Sequence, residues 1–197
     1  MKATNHKIFG LILAGGYSRR MGRDKALLEF RGKPQIEIAH DLLLGPCAKI
    51  FLSKREDQKL PADLCATIND NPKLSGHGPL SGILSAMEHY PEADWLVLAC
   101  DLPFVTKEVL ETLVAGRDPQ QAATAFISSQ DGLPEPLCAI WERHAYPHIL
   151  KLFKEGVHCP RKVLIKMNAH LLKQKDPHWL DNINTPEEYE EIMTKIE

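Results

Sequence analysis

The chain has 197 residues, of which 44% are hydrophobic and 25% charged, and its formal net charge is −2. This length and composition are typical of one globular domain, and a net charge near zero excludes the broad basic surface that general nucleic-acid binding requires. No apolar run approaches the ~20 residues of a membrane span, and the five cysteines never form a CxxC pair, so we expect a cytoplasmic protein with reduced thiols.

Short apolar runs in the first half of the chain predict four buried strands, at 8–14, 49–53, 65–69 and 95–100. Apolar residues at helical spacing predict three helices, at 34–44, 79–90 and 106–116. This alternation of strands and helices predicts a mostly parallel sheet. Because the strands are apolar almost throughout, both faces of the sheet are expected to be covered. We therefore expect a Rossmann-like α/β fold with three layers, α/β/α.

The second half of the chain has a less regular pattern. It predicts two further strands and a helix, at 122–128, 136–141 and 144–155. The last helix has the clearest start, with Thr185 as N-cap, Pro186 at the first helical position and Glu188 at the capping-box position. No repeat or low-complexity linker divides the chain, so we expect a single domain over 1–197.

A glycine turn follows the first predicted strand, in the segment LILAGGYSRRMGRDK at 11–25. In open α/β sheets, ligands bind outside the carboxyl ends of the strands. Gly15 and Gly16 let backbone N–H groups approach an anion closely. Ser18 adds a hydroxyl donor, and Arg20 and Lys25 add the positive charge that phosphate oxygens accept. The spacing fits neither a Walker A loop nor the GxGxxG dinucleotide motif, but the composition of the turn predicts a phosphate site.

Several segments resemble one enzyme family. LAGGYSRRMGRDK resembles the signature LAGGxSxRMGxDK of the molybdenum cofactor guanylyltransferases, the MobA-like branch of the nucleotidyltransferases. Four further segments resemble motifs of that family in the same order: GPLSGI at 78–83, CDLPF at 100–104, EPLCAIW at 135–141 and NINTPEE at 182–188. The resemblance implies a fold of the nucleotidyltransferase type, with a nucleotide-binding part at about 1–105 and an acceptor-binding part at about 106–197.

The activity that this resemblance implies is transfer of GMP from GTP to the terminal phosphate of molybdopterin, with release of pyrophosphate. Two anions must meet, so positioning and electrostatic stabilisation would carry the catalysis. Arg20 and Lys25 would clamp the triphosphate; without the resemblance they would be solvated surface charges. Asp101 follows an apolar strand and would hold Mg²⁺ or Mn²⁺, which both take oxygen ligands; the alternative is an Asp that caps a turn. The implied catalytic residues are Arg20, Lys25 and Asp101.

For the nucleotide, the resemblance implies a set of contacts from the glycine turn and the GPLSGI segment. Backbone groups of the turn would read the guanine edge, and the two glycines of GPLSGI would allow close approach to the base and ribose. The implied nucleotide-binding residues are Leu13, Ala14, Gly15, Gly16, Ser18, Lys25, Asp70, Gly78, Leu80, Gly82 and Asp101. Asp70 would accept a hydrogen bond from guanine or ribose, although Asn69 or Asn71 could take its place.

For the acceptor, the closing segment supplies Asn182 and Asn184, whose amides suit a pterin or a phosphate. Arg161 could meet the molybdopterin phosphate, and Glu135 could line the acceptor pocket. The alternative for the two asparagines is a purely structural role in loop turns and the helix start. GTP and molybdopterin would be the substrates, delivery proteins for molybdoenzymes could be partners, and a monomer is expected.

Two rival functions remain open from the sequence. One is a related transferase that uses CTP with molybdopterin or a sugar phosphate as acceptor, but LAGG and EPLCAIW favour the guanylyl branch. The other is a non-catalytic GTP-binding adaptor. Loss of Asp101 or Lys25 would mark such an adaptor, and both residues are present.

Overall fold

The computed structural model describes residues 7–15, 25–30, 32–54, 58, 64–183 and 185–196. Strands within these residues are Ile8–Leu13 (β1), Glu29–Phe30 (β2), Lys33–Pro34 (β3), Lys49–Lys54 (β4), Ala66–Asn69 (β5), Asp94–Ala99 (β6), Ala123–Ile127 (β7), Pro134–Trp141 (β8) and His170–Leu172 (β9). The α-helices are Gln35–Leu43 (α1), Pro79–His89 (α2), Lys107–Ala115 (α3), Tyr146–Lys154 (α4), Pro160–Lys166 (α5) and Pro186–Ile196 (α6). Short 3₁₀ turns lie at Lys25–Leu27 and Arg143–Ala145.

A seven-stranded sheet forms the centre of the molecule, in the order β5-β4-β1-β6-β8-β7-β9. All neighbouring strands run parallel except that β8 is antiparallel to both β6 and β7. The small β2–β3 hairpin is separate from this sheet. The predicted mostly parallel sheet is therefore confirmed.

Helices cover both faces of the sheet. Buried residues of α1 and α3 share one apolar cluster with Ile12 of β1 and Leu98 of β6. Buried residues of α2, α4 and α5 form the opposite cluster with Phe9 and Leu11 of β1. Side chains alternate between the two faces of a strand, so one apolar strand serves both cores, and the predicted α/β/α layering is confirmed. None of the helices in the described part of the chain is long and apolar enough to cross a membrane.

The predicted strands and helices are present in the structure, and the elements that were not predicted are short. The strands predicted in the first half match β1, β4, β5 and β6 to within about one residue at each end. The capping box of α6 is confirmed, because the Glu188 N–H donates to Thr185 Oγ1 and the Thr185 N–H donates to Glu188 Oε2, both at 3.3 Å. The sequence analysis did not predict the β2–β3 hairpin, α5 or β9, which have two to seven residues per element.

A buried charge cluster closes the end of the sheet where β6 begins. Arg117, in the loop after α3, donates to Asp94 Oδ2 at 2.6 Å and to both carboxylate oxygens of Glu142 at 2.7 and 2.6 Å. The two carboxylate side chains are only 2% exposed and the arginine 14%. Burial raises the pKa of Glu142, and the hydrogen bond and charge of Arg117 act against that rise. This cluster ties α3 to β6 and β8, and it lies away from the carboxyl ends of the parallel strands.

Candidate active site

The start of the glycine turn, at Ala14 and Gly15, lies beside Asp101 at the carboxyl edge of the sheet. Leu13 is the register partner of Ala99 in β6, and the Cys100 N–H donates to the Leu13 carbonyl at 3.2 Å. On the other side the Ala14 N–H donates to the Ser53 carbonyl at 2.9 Å. These bonds extend the strand pairing past the strand ends, so the turn starts directly beside the aspartate.

Lys25 lies against Asp101, with Nζ 3.5 Å from Oδ2, and the two side chains are 18% and 23% exposed. The second carboxylate oxygen, Oδ1, is buried and receives no hydrogen bond from any described residue. A buried oxygen without a donor is expensive unless a ligand satisfies it. Oxygen is also the donor type that Mg²⁺ prefers, and Mg²⁺ usually takes few protein ligands. The carboxylate therefore fits a divalent cation, although the described residues contain no cluster of three or more His, Cys, Asp or Glu that could hold a metal by themselves.

The chain at Asn182 and Ile183, in the segment NINTPEE, reaches the same carboxyl edge of the sheet. The Ile183 N–H donates to the Asp101 carbonyl at 3.0 Å, and Ile183 is buried against Leu28 and Phe30. Asn182 is exposed beside this bond and lines a cleft that also includes Asp101. The structure thus brings Asn182 next to the predicted metal ligand, as a contact with the acceptor would require.

Asp70 comes directly after β5 and is partly buried. Burial raises the pKa of its carboxyl, while a hydrogen bond with Ser53 lowers it in part. Of the two alternatives to Asp70, Asn71 already donates to Glu88 at 2.7 Å and accepts from the Lys73 N–H at 2.9 Å. The side chain of Asn71 is thus held within the protein, which favours Asp70 over Asn71 as the nucleotide contact.

The start of α2 gives different roles to the residues of the GPLSGI segment. Gly78 is exposed and has φ +68°, a conformation that favours glycine. Leu80 is fully buried in the core, so only its backbone can face a ligand. Gly82 is also buried, and a Cβ there would lie 3.1 Å from a methyl carbon of Leu13 and closer still to Ser53. Gly82 is therefore required for packing α2 on the sheet. Contacts between the nucleotide and the backbone of the GPLSGI segment stay a prediction.

Two buried glutamines support the edge and were missed by the sequence analysis. Gln58 Nε2 donates to the Ala14 carbonyl at 2.8 Å, and Gln35 Nε2 donates to the Leu102 carbonyl at 3.2 Å. Their side chains fix the backbone on the two sides of the site, at the glycine turn and just after Asp101. No signal in the sequence marks them, since each is a single glutamine outside any quoted motif. The backbone of Ala14 is bonded to Gln58 and Ser53, so both its N–H and its carbonyl are used within the protein.

The remaining predicted residues lie apart or outside the described chain. Arg161, in the first turn of α5, donates to Asp131 at 2.8 Å and to Glu135 at 3.0 Å. Its charge is thus already matched by two carboxylates, which weakens the predicted contact with a phosphate. Gly16, Ser18, Arg20 and Asn184 lie outside the described residues, and their roles stay predictions.

Replacing Asp70 with asparagine is expected to raise the melting temperature by about 2 °C at pH 7, the size of an effect somewhat below 1 kcal/mol for a chain of this length. The folded state raises the pKa of this carboxyl, so ionising it opposes folding at every pH above the unfolded value near 3.8. The gain should therefore be present at neutral pH and disappear as the pH falls below about 4. Thermal denaturation at several pH values measures it.

Asp41→Asn is the matched control for that substitution. Asp41 is exposed, and its hydrogen bond with Lys33 lowers the pKa of the carboxyl, so its loss should leave the melting temperature unchanged or slightly lower. A decrease for Asp70→Asn at pH 7 would instead show that the hydrogen bond with Ser53 outweighs the cost of burial.

A doubly covered α/β sheet places Ala14 and Gly15, at the start of the glycine turn, beside Lys25 and Asp101 at its carboxyl edge, an arrangement that suits an enzyme of the nucleotidyltransferase class. Comparison with known proteins supports this. Residues 10–171 match the MobA-like NTP transferase domain. The chain belongs to this family.

Related proteins and structures are similar to the chain over most of its length. It is 37% identical over 187 residues to a molybdenum cofactor biosynthesis bifunctional protein from Synechocystis, covering 94% of this chain but only 53% of that relative. A probable molybdenum cofactor guanylyltransferase from Geobacillus is 31% identical over 201 residues, covering 96% of this chain and all of that relative. The crystal structure of molybdopterin-guanine dinucleotide biosynthesis protein A from Archaeoglobus fulgidus superposes with a TM-score of 0.73 at 26% identity, covering 95% and 99% of the two chains.

Proposed function

We propose that this chain transfers GMP from GTP to the terminal phosphate of molybdopterin. An oxygen of that phosphate would attack the α-phosphorus of GTP, the bond from the α-phosphorus to the bridging oxygen would break, and pyrophosphate would leave. The observation that carries this proposal is the meeting of the Ala14–Gly15 turn, Lys25 and Asp101 at one edge. The names of the relatives from Geobacillus and Archaeoglobus support guanylyl transfer as the particular reaction.

In this proposal Lys25, Asp101 and Arg20 each help to bind or neutralise negative charge on the triphosphate. Lys25 is held at the edge by Asp101, and its ammonium would donate to phosphate oxygens and stabilise the charge that develops on pyrophosphate. Asp101, with one buried oxygen that receives no hydrogen bond from the described residues, would hold Mg²⁺, or Mn²⁺ in its place. When bound, the cation would supply charge neutralisation on the triphosphate. The backbone of Gly15 would face the base, and Arg20 would add a second cation from the glycine turn.

The acceptor would approach from the side of Asn182 and the cleft beside it. This division gives the nucleotide part about residues 1–105 and the acceptor part about 106–197 of one domain. A cytoplasmic location fits both the supply of GTP and the five free cysteines. We further propose that the protein works as a monomer and passes its product to delivery proteins of molybdoenzymes.

Calorimetry with GTP, CTP and ATP, each with and without Mg²⁺, tests the nucleotide half of the proposal. Selective binding of GTP that depends on Mg²⁺ is expected. Lys25→Met should raise the dissociation constant for GTP about tenfold or more, the loss of about 1.4 kcal/mol. Lys33→Met is the matched control, because Lys33 also pairs with an aspartate, Asp41, but is half exposed and lies on the β2–β3 hairpin.

Other outcomes would redirect the proposal. Selective binding of CTP would move the protein to a cytidylyl reaction, and equal effects of Lys25→Met and Lys33→Met would remove Lys25 from the site. If GTP binds selectively but no pyrophosphate is released with molybdopterin present, the chain is a GTP-binding adaptor and the catalytic proposal is wrong.

A further inference from the structure

A third apolar cluster, smaller than the two that cover the sheet, lies beside the carboxyl edge. Its buried members are Leu28, Phe30 and Ile183, and the partly buried side chains packed against it include those of Phe104, Tyr189 and Met193. Leu28 and Phe30 follow Lys25 along the chain, and Phe104 follows Asp101 in the segment CDLPF. The segments that carry the two proposed catalytic groups are thus anchored in one cluster, together with the last helix, α6.

The cluster fixes the turn that carries Lys25. Lys25 begins a three-residue 3₁₀ turn, and the Leu28 N–H, directly after that turn, donates to the Lys25 carbonyl at 3.2 Å. The Leu28 carbonyl accepts from the Gln35 N–H at 2.8 Å, and the Leu28 side chain is buried. A turn this short has few internal hydrogen bonds, so the burial of Leu28 and Phe30 determines its orientation.

The first turn of α6 contacts the β2–β3 hairpin through Tyr189. The Tyr189 hydroxyl donates to the Glu29 carbonyl at 2.8 Å. Its ring meets the ring of Phe30 edge to face, with centroids 5.3 Å apart and planes at 77°, a favourable arrangement for an aromatic pair. The Tyr189 N–H donates to the Thr185 carbonyl at 3.1 Å, so the capped start of the helix holds the ring in place. One residue therefore contacts both the backbone and a side chain of the hairpin.

The chain just before α6 is bonded to the backbone of Asp101. The Ile183 N–H donates to the Asp101 carbonyl at 3.0 Å, and the Ile183 side chain is buried in the cluster. The ion pair between Lys25 and Asp101 is by comparison a weak link. Nζ and Oδ2 are 3.5 Å apart and both side chains reach solvent, and partly exposed pairs contribute little on their own. The ion pair alone therefore does not fix the backbone from which the lysine side chain extends.

We propose that Tyr189 is a positioning residue, through which α6 holds the turn of Lys25 in place against Asp101. With α6 docked, the lysine ammonium faces the carboxylate and the triphosphate. Without this contact the hairpin moves, and the lysine moves with it. This rests on the proposed function, because Lys25 is there assigned to the triphosphate. A helix residue that follows Glu29 by 160 positions along the chain thus becomes part of the support of the nucleotide site.

Chemical labelling of lysines measures the placement of Lys25 without any nucleotide. Acetic anhydride modifies amines according to their accessibility, and mass spectrometry gives the rate at each lysine. Tyr189→Ala should raise the labelling rate of Lys25 at least about threefold, because it removes both the ring contact and the hydrogen bond. Tyr189→Phe keeps the ring and should show a smaller increase. Labelling of Lys54, a partly buried lysine that donates to the Gln58 carbonyl at 3.2 Å, should stay as in the wild-type protein.

Tyr146→Ala is the matched control. Tyr146 also lies in the first turn of a helix, α4, but it packs against the apolar cluster that α2, α4 and α5 form with the sheet. Its loss should leave the labelling of Lys25 unchanged. If Lys25 is labelled at the wild-type rate in Tyr189→Ala, Tyr189 does not position the lysine and the proposal is wrong. An equal increase in Tyr189→Ala and Tyr146→Ala would also overturn it, because the change would then be a general loosening of the fold.

GTP binding in the presence of Mg²⁺ tests the consequence for the nucleotide and separates the two levels of inference. Tyr189→Ala should raise the dissociation constant for GTP about threefold to tenfold, but by less than about 1.5-fold when Lys25→Met is already present, since the effect acts through Lys25. Equal weakening in both backgrounds would overturn the proposal, because a purely structural role of α6 adds to the loss of Lys25 independently. If the wild-type protein does not bind GTP, the proposed guanylyl transfer is contradicted, and the labelling of Lys25 still decides the role of Tyr189.

Discussion

Replacing Asp101 with asparagine is expected to reduce guanylyl transfer by at least about 100-fold while the protein stays folded. The substitution keeps the size of the side chain but removes the charge that holds Lys25 at 3.5 Å and the anionic oxygen suited to a divalent cation. Loss of one preorganised charge at a phosphoryl-transfer centre typically costs several kcal/mol of transition-state stabilisation. Pyrophosphate release with GTP, Mg²⁺ and molybdopterin gives the rate, and circular dichroism verifies the fold.

Asp41→Asn is the control for this effect. Asp41 also pairs with a lysine, Lys33, at 2.6 Å, but both side chains are half exposed on the outside of the fold. Its substitution should change the rate by less than about twofold, since exposed ion pairs contribute little. A difference between the rates of Asp101→Asn and Asp41→Asn then shows that the loss of activity depends on the position of Asp101 in the site. Loss of any Asp–Lys pair would affect both variants alike.

A double-mutant cycle with Lys25→Met separates two roles of Asp101. If Asp101 acts only by positioning Lys25, the two single variants should be equally slow and the double variant no slower. If Asp101 also holds the cation, Asp101→Asn should be slower than Lys25→Met and should lose the Mg²⁺ dependence of GTP binding. Wild-type turnover by folded Asp101→Asn would remove the residue from the mechanism altogether.

Much of the candidate site at the carboxyl edge of the sheet could be predicted from the sequence, because a few local rules apply to it. An apolar run that ends in two glycines predicts a buried strand followed by a ligand turn, and a second apolar run that ends in Asp101 predicts a neighbouring carboxylate. Parallel strands bring their carboxyl ends together, so the meeting of Gly15 and Asp101 needed only the prediction of a parallel sheet. The reaction itself is implied only by the resemblance of the ordered motifs to one enzyme family.

The features that the sequence did not predict depend on contacts between distant segments. The sequence did not show that Arg161 would meet Asp131 and Glu135, because 26 to 30 residues separate these positions and no spacing rule connects them. The roles of Gln35 and Gln58 likewise exist only once the sheet has formed. Gly82 is expected to leave space for a ligand, and the structure adds a packing role that the sequence did not show, since a Cβ at this position would meet Ser53 and Leu13. The antiparallel direction of β8 cannot be seen in its apolar residues alone.

Replacing Arg117 with methionine is expected to destabilise the fold by about 3–5 kcal/mol, the usual result of removing one partner of a buried ion pair. Methionine fills a similar volume, so the loss is mainly electrostatic. Two carboxylates, Asp94 and Glu142, would remain 2% exposed without their shared cation. Urea denaturation measures the change, and Trp95 and Trp141, both fully buried, report unfolding by fluorescence.

The effect should depend on pH with a definite sign. Burial already raises the pKa of Glu142 in the folded protein, and Arg117 opposes that rise. Without the arginine, this pKa rises further above its unfolded value near 4.5. The folded state then holds a proton that the unfolded state has released, so stability falls as the pH increases. The deficit of Arg117→Met should therefore be smaller at pH 5 than at pH 8.

Two comparisons make the cause specific. Arg143→Met changes a neighbouring arginine that donates to the exposed Glu92 carbonyl at 3.1 Å, and it should cost less than about 1 kcal/mol. Adding Glu142→Gln to Arg117→Met should restore part of the stability, since it removes one uncompensated charge while Asp94 keeps the Arg143 N–H as a donor.

The cluster lies at the start of β6 and Asp101 follows the end of that strand, about 20 Å away at ~3.3 Å per residue. GTP binding by the folded fraction of Arg117→Met should thus be unchanged, and a deficit that did not vary with pH would assign the loss to packing instead of charge.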